Sequence, residues 1–134
     1  MKKIDIFACS PSAMRACASW TDAFDSFPVT GITLPGELDF VSLGQLLTQS
    51  TEPALRPAGI AGRDLYVFRD DMAHALGRMA ADELSTIAVA WSTTPPWADM
   101  DINPFDLAGF LMELQSAWHQ SVTPDKALFA WIDA

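Results

Sequence analysis

Basic side chains are scarce in this chain. Eight Lys and Arg stand against 17 Asp and Glu, for a formal net charge of −9. From Met79 onward Lys126 is the only base. It faces Asp82, Glu83, Asp99, Asp101, Asp106, Glu113, Asp125 and Asp133, a net of −7 over that part. A field of this sign repels phosphate backbones and anionic membranes and attracts basic partners. Solubility alone is the competing explanation, since net charge away from zero also keeps a protein dispersed. The bases gather earlier, at Arg56, Arg63, Arg69 and Arg78.

Cysteine is equally thin. Cys9 and Cys17 are the only two and lack CxxC spacing. This excludes a disulfide scaffold and predicts buried, reduced thiols. Cys9 follows a predicted strand and precedes a predicted helix start, a place that can lower a thiol pKa. The other reading is a small buried residue at a strand end. The two histidines, His74 and His119, form no i, i+4 pair, so a zinc site is not expected. No apolar run reaches the roughly 18 residues of a membrane span. In 1-MKKIDIFACSPSAM-14, Asp5 interrupts the apolar patch early. A signal peptide is therefore not read, and a cytoplasmic location is expected. No glycine-rich phosphate loop and no GxSxG are present. The expectation is a non-enzymatic chain without cofactor or metal.

Apolar residues are abundant. They make up half of the 134 positions, with five Trp and eight Phe. That composition supports one globular domain over 1–134 with a substantial core.

Residues 3-KIDIFA-8 alternate and predict a strand. Ser10 followed by Pro11 predicts a cap and a helix running through 12–20. Residues 21–37, with Pro28, Gly31, Pro35 and Gly36, read as a loop. A helix follows over 39–49 despite Gly44, then a second loop over 50–63. A short strand is predicted at 65-LYVF-68 and a helix at 70–80. In 82-DELSTIAVAW-91, Leu84, Ile87, Ala88 and Trp91 make a helical stripe whose start is favoured by Asp82 and Glu83.

The last helix is the best marked. Asn103 can cap it, Pro104 suits its first position, and Asp106 is placed to reach back to the cap. Its stripe is Leu107, Phe110, Leu111, Leu114 and Trp118, and Pro124 stops it. Residues 126-KALFAWI-132 predict a terminal strand. The sum is an α+β fold, helix-dominated, with a few short strands. Its expected core includes Leu84, Ile87, Trp91, Leu107, Leu111, Leu114 and Trp118.

Between the last two helices lies 91-WSTTPPWADMDINPFD-106. Pro95 and Pro96 stiffen it and restrict Thr94. Trp97 has two readings. It is either an exposed anchor beside Asp99, Asp101 and Asp106, or a lid folded over the helix ends. Asp99 and Asp101 also form a DxD, which can bind Mg²⁺ beside a phosphate, although no phosphate loop accompanies it.

The order 65-LYVFRDDMAHALGRMAADELSTIAVAWSTTPPW-97, 107-LAGFLMELQSAWHQ-120 and 128-LFAW-131 resembles small bacterial immunity proteins encoded beside secreted antibacterial toxins. The resemblance covers residues 65–131, about half of the chain, and the N-terminal half departs from it. It implies a small, acidic, cytosolic, non-catalytic protein that occludes a toxin's site, often a basic one. The partner expected is a basic protein, met by Trp97, Asp99, Asp101, Asp106 and Glu113. The alternative is a small enzyme or small-molecule binder with an acidic pocket on Asp99 and Asp101.

Overall fold

The computed structural model describes residues 2–34, 40–60, 63–94 and 97–133. Among them, in chain order, are β1 (Lys2–Cys9), α1 (Pro11–Ala16), α2 (Trp20–Ser26), β2 (Val29–Leu34), α3 (Val41–Thr48), β3 (Leu55–Pro57), β4 (Leu65–Phe68), α4 (Asp70–Arg78), α5 (Ala81–Ser92), α6 (Pro104–Gln120) and β5 (Ala127–Asp133). The strands form one antiparallel sheet in the order β2-β1-β5-β4-β3. The class is α+β, as the apolar patterning indicates.

Both faces of the sheet are covered, and the period-2 alternation of β1 shows how. Ile4, Ile6 and Ala8 join the core formed with α3, α4, α5 and α6. Phe7 and Cys9 point the other way, to Met14 of α1, Ala23 of α2, Leu65, Val67, Phe129 and Trp131. The alternation in β5 divides Leu128, Ala130 and Ile132 from Phe129 and Trp131 in the same manner. All the expected core residues are fully enclosed except Ile87, which is half-buried at its margin.

Three expectations are corrected. The helix predicted over 12–20 breaks after Ala16. Ser10 caps α1 by accepting from Ala13 N–H at 3.2 Å, but Ser19 caps a separate α2 by accepting from Asp22 N–H at 3.2 Å. Arg63 holds the break by donating to the carbonyls of Met14 and Cys17, with its guanidinium over the Trp131 ring. Next, the loop predicted over 21–37 contains most of α2 and all of β2, while residues 35–37 lie outside the described residues. Pro28 and Gly31 look like breakers, yet both are tolerated at a sheet edge. Pro28 precedes the strand, and its carbonyl accepts from Ala8 N–H at 3.1 Å. Gly31 lies opposite Asp5, and a Cβ on it would come within 3.2 Å of the Asp5 carboxylate. That carboxylate is buried and accepts from Trp20 Nε1 at 3.0 Å. Finally, the loop over 50–63 holds the three-residue β3.

Helix–helix packing depends on one bare position. Gly77 in α4 lies against Trp118 of α6, where a Cβ would sit 2.5 Å from the indole nitrogen. Gln115 locks the same junction by donating from Nε2 to the carbonyls of Leu76 and Met79, at 2.9 and 2.6 Å. Leu76 O also accepts from the N–H of Met79, the residue that caps α4, at 3.3 Å, so Gln115 adds to the closure of this helix end.

Candidate functional site

The connector after α5 folds inward. Trp97 is 3% exposed and stands edge-on to Trp91, with ring centroids 5.6 Å apart. Its backbone is turned by hydrogen bonds from Trp97 N–H to Thr94 O and from Met100 N–H to Trp97 O, both 2.9 Å. Pro95 and Pro96 lie outside the described residues. The expectation of an exposed Trp97 anchor is therefore corrected: the ring is the lid over the α5 and α6 ends. Enclosure by apolar neighbours is the physical reason, and it leaves the Nε1 donors of both Trp91 and Trp97 without an acceptor among the described residues.

The acids behave differently. Asp99, Asp101, Asp106 and Glu113 are all exposed. Asp106 and Glu113, two turns apart on α6, line one cleft between α6 and β2. Its volume is about 460 Å³, and Gly31, Ile32 and Thr33 form the opposite wall, with Trp97 and Ile102 at one end. A second recess of about 190 Å³ continues along the same seam, from Glu113 to Gln120 on α6 and from Thr30 to Pro28 beside it. Asp99 and Asp101 line neither. These two recesses are therefore not built on Asp99 and Asp101. Asp106 and Glu113 share the first recess, and among the described residues no Lys, Arg or His lines either one. Nowhere among the described residues do three His, Cys, Asp or Glu side chains converge at metal-binding spacing.

The cap of α6 forms in part. Asn103 Oδ1 accepts from Phe105 N–H at 3.0 Å and Asn103 O accepts from Asp106 N–H at 3.0 Å, but among the described residues the Asp106 carboxylate accepts nothing back from the cap. The Asp106 carboxylate is left to the cleft.

The single base of the C-terminal part is engaged internally. Lys126 Nζ donates to Trp118 O at 2.7 Å and to Ser121 O at 2.9 Å, and lies 4.4 Å from the centre of the Trp118 ring. It closes the negative end of α6. Two of the earlier arginines are committed likewise. Arg63 ties α1, and Arg69 pairs with Asp71 at 3.1 Å while bonding Thr48, Ser50 and the Glu52 carbonyl. Among the described residues no ion pair engages the acids beside the cleft.

The thiols show the opposite of activation. Cys9 is buried, and burial, aided by the nearby Cys17, pushes its pKa up to about 12. Cys17 is raised too, first by burial and then by Asp22, with Arg63 opposing. A helix as short as α1 does not offset that desolvation. His74 is a helix-surface imidazole 3.4 Å from Asp70, edge-on to Trp118.

Sequence reasoning missed two parts of this site. One is β2, hidden by its flanking Pro and Gly. The other is Phe105, 84% exposed at the mouth of the cleft. A signal for Phe105 existed, because it falls off the α6 stripe, on the polar side with Gly109. No helix among the described residues is long and apolar enough to cross a membrane. No known family, curated protein or solved structure matches the chain.

Proposed function

We propose that this chain is a non-catalytic binding protein of the bacterial cytoplasm. In this reading it is an immunity protein that neutralises a cognate toxin by covering a basic site. The observation that carries the reading is the unopposed acidity of the cleft. Asp106 and Glu113 line it, Asp99 and Asp101 are exposed on the preceding loop, and Lys126 is engaged inside the fold. Exposed carboxylates act over distance, steering a basic partner and rejecting acidic ones. Phe105 supplies an exposed aromatic beside them, the kind of side chain that anchors interfaces once desolvated. The resemblance of residues 65–131 to immunity proteins points the same way.

The test is protection of growth. The chain is co-expressed in a sensitive bacterium with the secreted protein encoded beside it, and survival is scored. Wild type should rescue. A variant carrying Asp99→Lys, Asp101→Lys, Asp106→Lys and Glu113→Lys should fold yet fail to rescue. Equal rescue by both, or none by the wild type, would remove the toxin reading.

A further inference from the structure

The two edges of the sheet are not alike. β3 is three residues long, carries Arg56 and ends in Pro57. Short length, charge and proline are the usual guards against unwanted strand pairing. β2 has twice that length and the sequence VTGITL, with no charge and no proline. An unguarded edge of this kind is a liability unless something is meant to pair with it.

Which groups it presents follows from the register. Ala8 N–H bonds Pro28 O, so in an antiparallel ladder Thr30, Ile32 and Leu34 also turn their backbone groups inward to β1. Val29, Gly31 and Thr33 must then turn their N–H and C=O outward. Among the described residues these outward groups have no partner.

The seam beside that edge is shaped for a backbone. Gly31 and Gly109 line the same cleft from β2 and from α6. Gly31 is excused by Asp5, but Gly109 has no such excuse. It sits inside a 17-residue helix, and a Cβ on it would meet nothing within 4 Å. Glycine there costs helix stability relative to alanine without relieving any contact within the chain. What it leaves is depth in the cleft. A bare helix position facing a free edge suits the close approach of another chain.

We propose, on the reading of this chain as a binder of a basic protein, that the partner contributes an extended, lysine- or arginine-bearing segment. That segment adds to β2 as a sixth strand and lies in the seam against α6. Main-chain hydrogen bonds to Val29, Gly31 and Thr33 supply the pairing. Asp106 and Glu113 receive basic side chains on the α6 side. Charge decides against a second copy as occupant, because edge-to-edge pairing would bring two such acidic seams together at a net charge of −9 each.

Amide hydrogen exchange of the full chain tests this, with a soluble peptide alternating valine and lysine as probe. The peptide should slow exchange at Val29, Gly31 and Thr33 and leave Thr30 and Ile32 unchanged. A valine–glutamate peptide should do nothing, and a lysine homopolymer should bind at least about tenfold more weakly than the alternating peptide. Thr33→Pro removes only an outward N–H, and Gly109→Gln fills the cleft from an open helix position. Each should abolish the protection. Asp106→Lys with Glu113→Lys should reverse the preference toward the glutamate peptide.

Protection elsewhere overturns the proposal, as does equal protection by all three probes. Protection without peptide that grows with protein concentration assigns the edge to a second copy and overturns it too. The two readings separate cleanly. Growth rescue that survives Thr33→Pro leaves the toxin reading standing and removes the edge. Peptide pairing without any rescue does the reverse.

Discussion

Replacing Trp97 by alanine decides whether the connector is core or surface. The ring is 3% exposed and packs edge-on against Trp91, which is fully buried. Truncating a buried tryptophan costs about 3–5 kcal/mol, through lost transfer energy plus the cavity left behind. The edge-on contact accounts for roughly 0.5–1.5 kcal/mol of that. No hydrogen bond to a described residue is lost, because among these Trp97 Nε1 has no acceptor. For a 134-residue domain the unfolding entropy is near 0.28 kcal/mol/K, so the melting temperature should fall by roughly 10–18 °C. Urea unfolding should show the same loss with an unchanged slope, which separates stability from a change in mechanism. Trp97→Phe is the sharper companion. It loses some volume but deletes an unpaired buried donor, itself a burden of about 1–3 kcal/mol, so it should stay within about 1 kcal/mol of wild type. A loss below about 1 kcal/mol for Trp97→Ala would refute the lid. A phenylalanine variant as unstable as the alanine one would mean that the indole N–H has a partner.

Two other predictions test packing and burial. Gly77→Ala should destabilise by about 1–3 kcal/mol although alanine is the better helix former, because its Cβ strikes Trp118. Gly109→Ala should stabilise by about 0.5–1 kcal/mol, because its Cβ meets open space. Equal signs in thermal melts would contradict the α4–α6 geometry. Cys9 should resist alkylation at pH 8 until the protein unfolds, since its thiol titrates at about 12 in the fold. The folded state keeps that proton where the unfolded thiol has lost it. Stability should therefore decline as pH rises from the ordinary thiol value of 9.0 toward about 12, and Cys9→Ala should flatten the decline.

Much of the fold is legible in local pattern. The α5 and α6 stripes, the Asn103–Pro104 start and the alternation at 3–8 are written in neighbouring residues, and the structure contains each of them. Such signals survive because helix periodicity and capping are short-range effects. The strand β2 was not legible, since Pro28 and Gly31 signal a turn to any local reading. Their tolerance depends on lying at a sheet edge, and edge position is a property of the strand order.

The site divides along the same line. Composition alone determined the acidity, the scarcity of bases and the exposed placement of Asp99, Asp101, Asp106 and Glu113. Most charged side chains stay in water, although the fold encloses Asp5 against Trp20. Only the tertiary structure decided what those charges accompany. It buried Trp97 between helix ends, committed Lys126 to the terminus of α6, and set Asp106 and Glu113 across a cleft from the edge strand β2. That strand ends 70 positions before α6 begins. Contacts over such separations arise from packing the whole sheet, and no window of sequence contains them.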